Sequence, residues 1–224
     1  MKKHAEATPV KEEMQDASNF FKWSFETRAK NVMAIYNKED ISRDRLFLNF
    51  TSHNPALITN GPGGLNGSIK GIGYVPKPEY LEEIFEKYME HINSYDGDDE
   101  AYSQRGLALL VKELYNDDVR HRIDFSLLTT LEMAKNHTWE NVQANNEATY
   151  IFYQPPVISY ELRGKVEIDD DGIYKKFVNA QHDVYHAPNI ERWVTRPALV
   201  FHIEEVYNNS VSKQGFGKQM KYPY

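Results

Sequence analysis

Apolar residues recur at steps of three and four in the first half of the chain and alternate over shorter stretches in the second. Val10, Met14, Ala17, Phe21, Phe25, Val32 and Tyr36 keep the helical step with one wider gap, which predicts a long helix within residues 1–45. Thr8 suits its cap, Pro9 its first position, and Glu12 and Glu13 its positive end. Residues 46–51 and 56–59 then read as short strands. Residues 60–67, Asn-Gly-Pro-Gly-Gly-Leu-Asn-Gly, form a loop by composition, and 68–75 a glycine-containing strand closed by Pro76 and Pro78. Leu81, Ile84, Phe85, Tyr88, Met89 and Ile92 mark an amphipathic helix, the clearest periodic signal in the chain. An acidic turn at 96–100 separates it from a helix carrying Leu107, Leu110, Val111 and Leu114.

Beyond Arg122 strands dominate. Residues 123–130, 148–153, 157–168 and 197–207 read as strands, with a short helix near 174–184. Residues 208–224 are polar and read as a C-terminal arm. The pattern predicts an α+β chain of one domain, residues 1–224, in which antiparallel strands dominate the second half.

Composition narrows the function. The 224 residues include no cysteine, which excludes disulfides, thiolate metal sites and a cysteine nucleophile. Net charge is −7, and the densest basic spot, Arg120-His121-Arg122, sits among acidic residues, so nucleic acid is not an expected partner. No apolar run approaches the ~20 residues that span a bilayer, and the N-terminus does not read as a signal peptide. A cytoplasmic protein without membrane contact is expected. Aromatic residues make up 13%, which suits a β-rich core and also pockets for planar ligands.

Candidate chemistry is sparse. Gly61-Pro62-Gly63 and Gly71-Ile72-Gly73 both fail the dinucleotide fingerprint, because Asn66 and Pro76 stand where its third glycine is needed. An EF-hand loop starting at Asp96 would need glycine at Ala101 and glutamate at Leu107. His182 and His186, four apart around Asp183, could face a zinc ion on one helix side, with Glu191 or Glu204 as a third ligand. This zinc hydrolase is the weaker alternative, and no metal is expected. Residues 133–145 are more suggestive. Lys135, His137, Thr138 and the amides of a helix start there could hold an anion such as a phosphate, or Thr138 could simply cap that helix.

Residues 125–166 resemble the FMN-binding split-barrel proteins, the pyridoxamine 5′-phosphate oxidase-like and flavin-reductase-like group. The resemblance is carried by the strand from Phe125 to Thr130, Lys135, the run Thr138-x-x-Asn141-Val142-x-x-Asn145, the strand from Ala148, and the strand passing through Gly164. The stretch from Ala198 to Val206 looks like that group's last barrel strand. The resemblance implies an antiparallel six-stranded split β-barrel with flanking helices and a helical insertion or extension at 78–118. It implies an FMN cofactor with its phosphate at Lys135, His137 and Thr138, and Asn141 bracing the loop. It further implies a homodimer and an oxidoreductase acting on a small-molecule substrate with electrons from a nicotinamide. A ligand-binding barrel without catalysis is the alternative within the same fold. No residue is assigned as catalytic acid or base. The group's opening hairpin is not recognisable before residue 123; if residues 46–75 supply it, the helices at 79–117 are an insertion.

Overall fold

The computed structural model describes residues 14–224, and these form six α-helices and eight strands. Helices α1 (Ser18–Tyr36) and α2 (Arg43–Phe50) precede three short strands, β1 (Ala56–Thr59), β2 (Asn66–Ile69) and β3 (Gly73–Pro76). Helices α3 (Pro78–Asn93) and α4 (Asp99–Glu113) follow, then β4 (Ile123–Leu131), α5 (His137–Ala144), β5 (Glu147–Gln154) and β6 (Ile158–Asp169). The chain ends with α6 (Ile173–Asp183), β7 (Ala198–Asn208) and β8 (Lys218–Met220). No described helix is long and apolar enough to cross a membrane.

The strands form one antiparallel sheet in the order β2-β1-β5-β6-β7-β4-β3, with β8 paired to β7. Its two outer strands, β2 and β3, are joined by residues 70–72 alone. A flat sheet of seven strands would hold its edges roughly 29 Å apart, taking six spacings of about 4.8 Å. Four residue steps, from Ile69 to Gly73, reach at most about 14 Å. The sheet therefore has to roll until its edges nearly meet. No ladder joins β2 to β3; instead Lys70 N–H donates to the Pro55 carbonyl at 3.0 Å and Ile72 N–H to that of His53 at 2.9 Å. The result is a barrel closed by a chain link and open along one seam, a split barrel.

Aromatic side chains fill it. Phe20 from α1 meets Phe152 at 5.0 Å and Tyr160 at 5.3 Å, and Tyr150 meets Phe201 at 4.9 Å, mostly edge to face. The helices α3 and α4 leave the sheet after β3 and return it to β4, the strand that pairs with β3. Leu81, Ile84, Tyr88 and Ile92 are the buried face of α3, as the periodicity predicts.

Three sequence readings need correction or completion. Residues 46–51 are helical, within and just past α2, because Ser42 caps the helix on Arg45 N–H and Asp44 sits in its first turn; a short apolar run does not separate helix from strand. The expected strand 68–75 is broken into β2 and β3 at the link, which raises the count above six. The segment read as an arm, residues 208–224, is stitched down: β8 pairs with β7, and Ala17 N–H reaches the Lys221 carbonyl at 2.9 Å. The expected helix start at Thr8 and Pro9 lies outside the described residues.

Gly164 marks a bulge where β6 slips register against β7. A Cβ there would stand 1.9 Å from the His202 carbonyl oxygen, inside any contact distance. Gly164→Ala is expected to destabilise the protein by at least about 2 kcal/mol in urea unfolding. A change below about half a kcal/mol would show that the strands separate freely at this point.

Candidate functional site

The glycine loop between β1 and β2 lies flat against α5. A Cβ at Gly61 would come within 2.9 Å of the Asn141 Cα, and one at Gly63 within 3.0 Å of the His137 Cα. This close backbone approach explains the glycines without any phosphate motif. Asn141, fully buried, clamps the loop: its amide donates to Thr59 Oγ1 at 3.1 Å and to the Gly64 carbonyl at 2.7 Å, and its Oδ1 accepts from Gly63 N–H at 2.8 Å. Thr138 is buried as well. Its hydroxyl accepts from Asn66 Nδ2 at 2.9 Å and lies 2.9 Å from Ser68 Oγ, so it seats β2 rather than capping its own helix. The cap position is Asn136, which makes no side-chain cap bond.

The other two expected residues, Lys135 and His137, are exposed. Lys135 has left-handed backbone (φ 48°) and holds its ammonium over the Trp139 ring, 5.1 Å from the centroid. That backbone is fixed by Glu132, whose Oε1 accepts from Ala134 N–H at 2.9 Å and Lys135 N–H at 3.0 Å. Its other oxygen takes the Lys70 ammonium at 2.7 Å, with side-chain exposures of 13% for Lys70 and 2% for Glu132. Burial pushes the Glu132 carboxyl up, but Lys70 and the two amides outweigh it and hold the group below its ordinary value. Folding thus keeps Glu132 ionised.

Beside this pair lies a cavity of about 570 Å³, within the range of small-molecule sites. Its apolar walls include Val32 and Ile35 of α1, Leu107 and Leu110 of α4, and Val178 of α6. The link at Lys70, Gly71 and Ile72 forms the barrel side, with Thr129 to Ala134 from β4 and the turn after it. Its polar lining includes Arg28, His53, the Lys70–Glu132 pair, Gln181, and His182 and His186. Met133 and Ala134 bring the cavity to the foot of the α5 loop, but Lys135, His137, Thr138 and Asn141 do not line it. Sequence reasoning missed Arg28, His53, Lys70 and Glu132. No local pattern joins Lys70 to a carboxylate 62 positions away, and Arg28 lies within an ordinary helical stripe.

His182 and His186 do share a face, with ring centroids 4.8 Å apart. Asp183 is turned to other work. Its Oδ1 meets His182 Nδ1 at 2.8 Å, and its Oδ2 accepts from Asn189 N–H at 2.9 Å and Trp193 Nε1 at 2.8 Å. Glu204 pairs with Lys165 at 2.8 Å. Among the described residues no three histidine or carboxylate side chains gather to hold a metal, so the zinc reading lacks a ligand set.

No protein-family model matches the chain, and no curated protein does. Solved structures similar to it include HupZ of Group A Streptococcus, 13% identical with a TM-score of 0.43, over 81% of this chain and 99% of that one. An F420 reductase is 16% identical with a TM-score of 0.37, over 68% and 87%. A Lactobacillus delbrueckii protein named for pyridoxamine 5′-phosphate oxidase is 15% identical with a TM-score of 0.39, over 75% and 93%. The strand order and the link between β2 and β3 define the split-barrel fold.

Burial makes Thr138 and Asn141 part of the fold, whereas Lys135 stands in solvent. Asn141→Ala is expected to lower the melting temperature markedly, since it strands Gly63 N–H and the Gly64 carbonyl, each unpaired group costing about 1–3 kcal/mol. Thr138→Ala should cost less, and Lys135→Ala nothing measurable. Scanning calorimetry of the three variants checks the order; an Asn141→Ala protein as stable as the parent would contradict it.

Proposed function

We propose that the chain binds FMN in the cavity beside the Lys70–Glu132 pair and acts as an oxidoreductase on a small molecule, with electrons from a nicotinamide. The observation that carries this reading is the continuity of an apolar cavity with a turn that exposes Lys135 and His137 at an uncapped helix start. A flavin has matching parts: a planar aromatic ring system with an apolar dimethylbenzene end, and a phosphate that seeks cations and helix amides. Lys135 and His137 would hold the phosphate, with Thr138 and Asn141 seating the loop that presents them. The bound flavin supplies the electron transfer, and the protein holds it, orients it and keeps water from the ring.

A second reading, a ligand-binding barrel without catalysis, is favoured by one observation. The Glu132 carboxylate already takes the Ala134 and Lys135 amides, leaving fewer donors for a phosphate.

A homodimer goes with the flavin reading. Ile69 and Met133 line the cavity yet are 68% and 60% exposed, and Leu65 on the neighbouring loop is 80% exposed. Apolar side chains at a cavity mouth, next to the unpaired edge of β2, suit cover by a second copy. Light scattering is expected to give twice the 26.1 kDa chain mass; a single-chain mass at all concentrations argues against the homodimer.

Flavin fluorescence titration tests the main reading, with saturation expected at one FMN per chain. Lys135→Ala should weaken FMN roughly tenfold to a hundredfold, as loss of a charge-assisted contact does, while riboflavin, without the phosphate, is unaffected. No quenching at micromolar flavin would favour the binding-protein reading instead.

A further inference from the structure

Arg28, Val32 and Ile35 follow at four and three residues along α1 and so share the helix face that lines the cavity. Two of them are apolar, as a cavity wall requires. Arg28 is not, and it is not paired either. Among the described residues its guanidinium makes no hydrogen bond and no ion pair; its Nε is buried without a partner, and the group rests over the Phe50 ring at 5.9 Å. The cavity's own carboxylate, Glu132, is held by Lys70 and two backbone amides. His53 is placed with Arg28 by the ring both meet: its centroid lies 6.2 Å from that of Phe50. Burial, then the charge of Arg28, lowers the His53 pKa to about 3, so the imidazole is neutral and offers one N–H. A half-buried guanidinium with unused donors in an apolar cavity is a costly arrangement that an anion relieves.

We propose that Arg28, with the His53 imidazole beside it, receives the acid group of an organic anion whose apolar body lies against Val32, Ile35, Leu107 and Leu110. The inference rests on the cavity as the ligand site and names the class of molecule that would share it with, or replace, the flavin. A planar fork of donors favours a carboxylate, which accepts two parallel N–H bonds, over a neutral group of the same shape.

The test compares 2-naphthoate with its neutral isostere 2-naphthamide on flavin-free protein by calorimetry, and repeats both with FMN added. The wild type is expected to prefer the carboxylate by roughly tenfold to a hundredfold. Arg28→Gln should abolish that preference by weakening 2-naphthoate alone, and Arg28→Lys should keep part of it. Because Arg28 makes no hydrogen bond or ion pair among the described residues and gives up only the Phe50 ring contact, Arg28→Gln should melt within a few degrees of the parent. Equal affinity for acid and amide, no binding of either at millimolar concentration, or a large loss of stability in Arg28→Gln would overturn the proposal. So would an Arg28→Gln protein that loses FMN but not riboflavin, since Arg28 would then serve the flavin phosphate. A carboxylate preference that persists in a protein that takes up no FMN would uphold this site and reject the flavin reading.

Discussion

The three residues that join β2 to β3 hold together a sheet whose edges have no ladder between them. Two backbone bonds, to the carbonyls of His53 and Pro55, and one ion pair, Lys70 to Glu132, fasten that link. Lys70 lies on the link, and Glu132 directly follows β4, the neighbour of β3, so the pair bridges the seam. Both side chains are largely out of water, and removing one partner of such a pair leaves a buried charge at a cost of about 3–5 kcal/mol. The same carboxylate sets the left-handed turn at Lys135 and hence the start of α5. Closure of the barrel, shape of the turn and position of α5 are therefore one construction.

The cavity follows from that construction. Along the seam the barrel wall is a bare link instead of paired strands, and side chains of α1, α4 and α6 face it from the other side. The helical segment between β3 and β4 thus contributes to the site as well as to the core. Of the cavity's three permanently charged side chains, Lys70 and Glu132 satisfy each other within the fold and Arg28 has no such partner among the described residues. Function is expected where satisfaction stops.

Much of this was legible in the pattern of the chain. Period-three-and-four stripes located α1, α3 and α4, and alternation located β4 to β7, whereas Asn141 as the brace of its loop came only with the resemblance to the split-barrel group. Leu46, Phe47 and Leu48 misled because an apolar run of that length fits either period, and the cap at Ser42 decided it. The chemistry of Thr138 was hidden because burial by Asn66 and Ser68, some 70 positions earlier, is a tertiary event. The cavity was hidden for the same reason. Its polar residues come from α1, the approach to β1, the link, the end of β4 and α6, and no local signal joins them.

The proposal that the cavity and the α5 turn form one flavin site is tested by hydrogen exchange with and without FMN. FMN is expected to slow exchange together in the link at 70–72 and in the turn at 133–138, with the outer strand β8 unchanged. Protection confined to one of the two segments, or absent from both at saturating FMN, would contradict a single site spanning them.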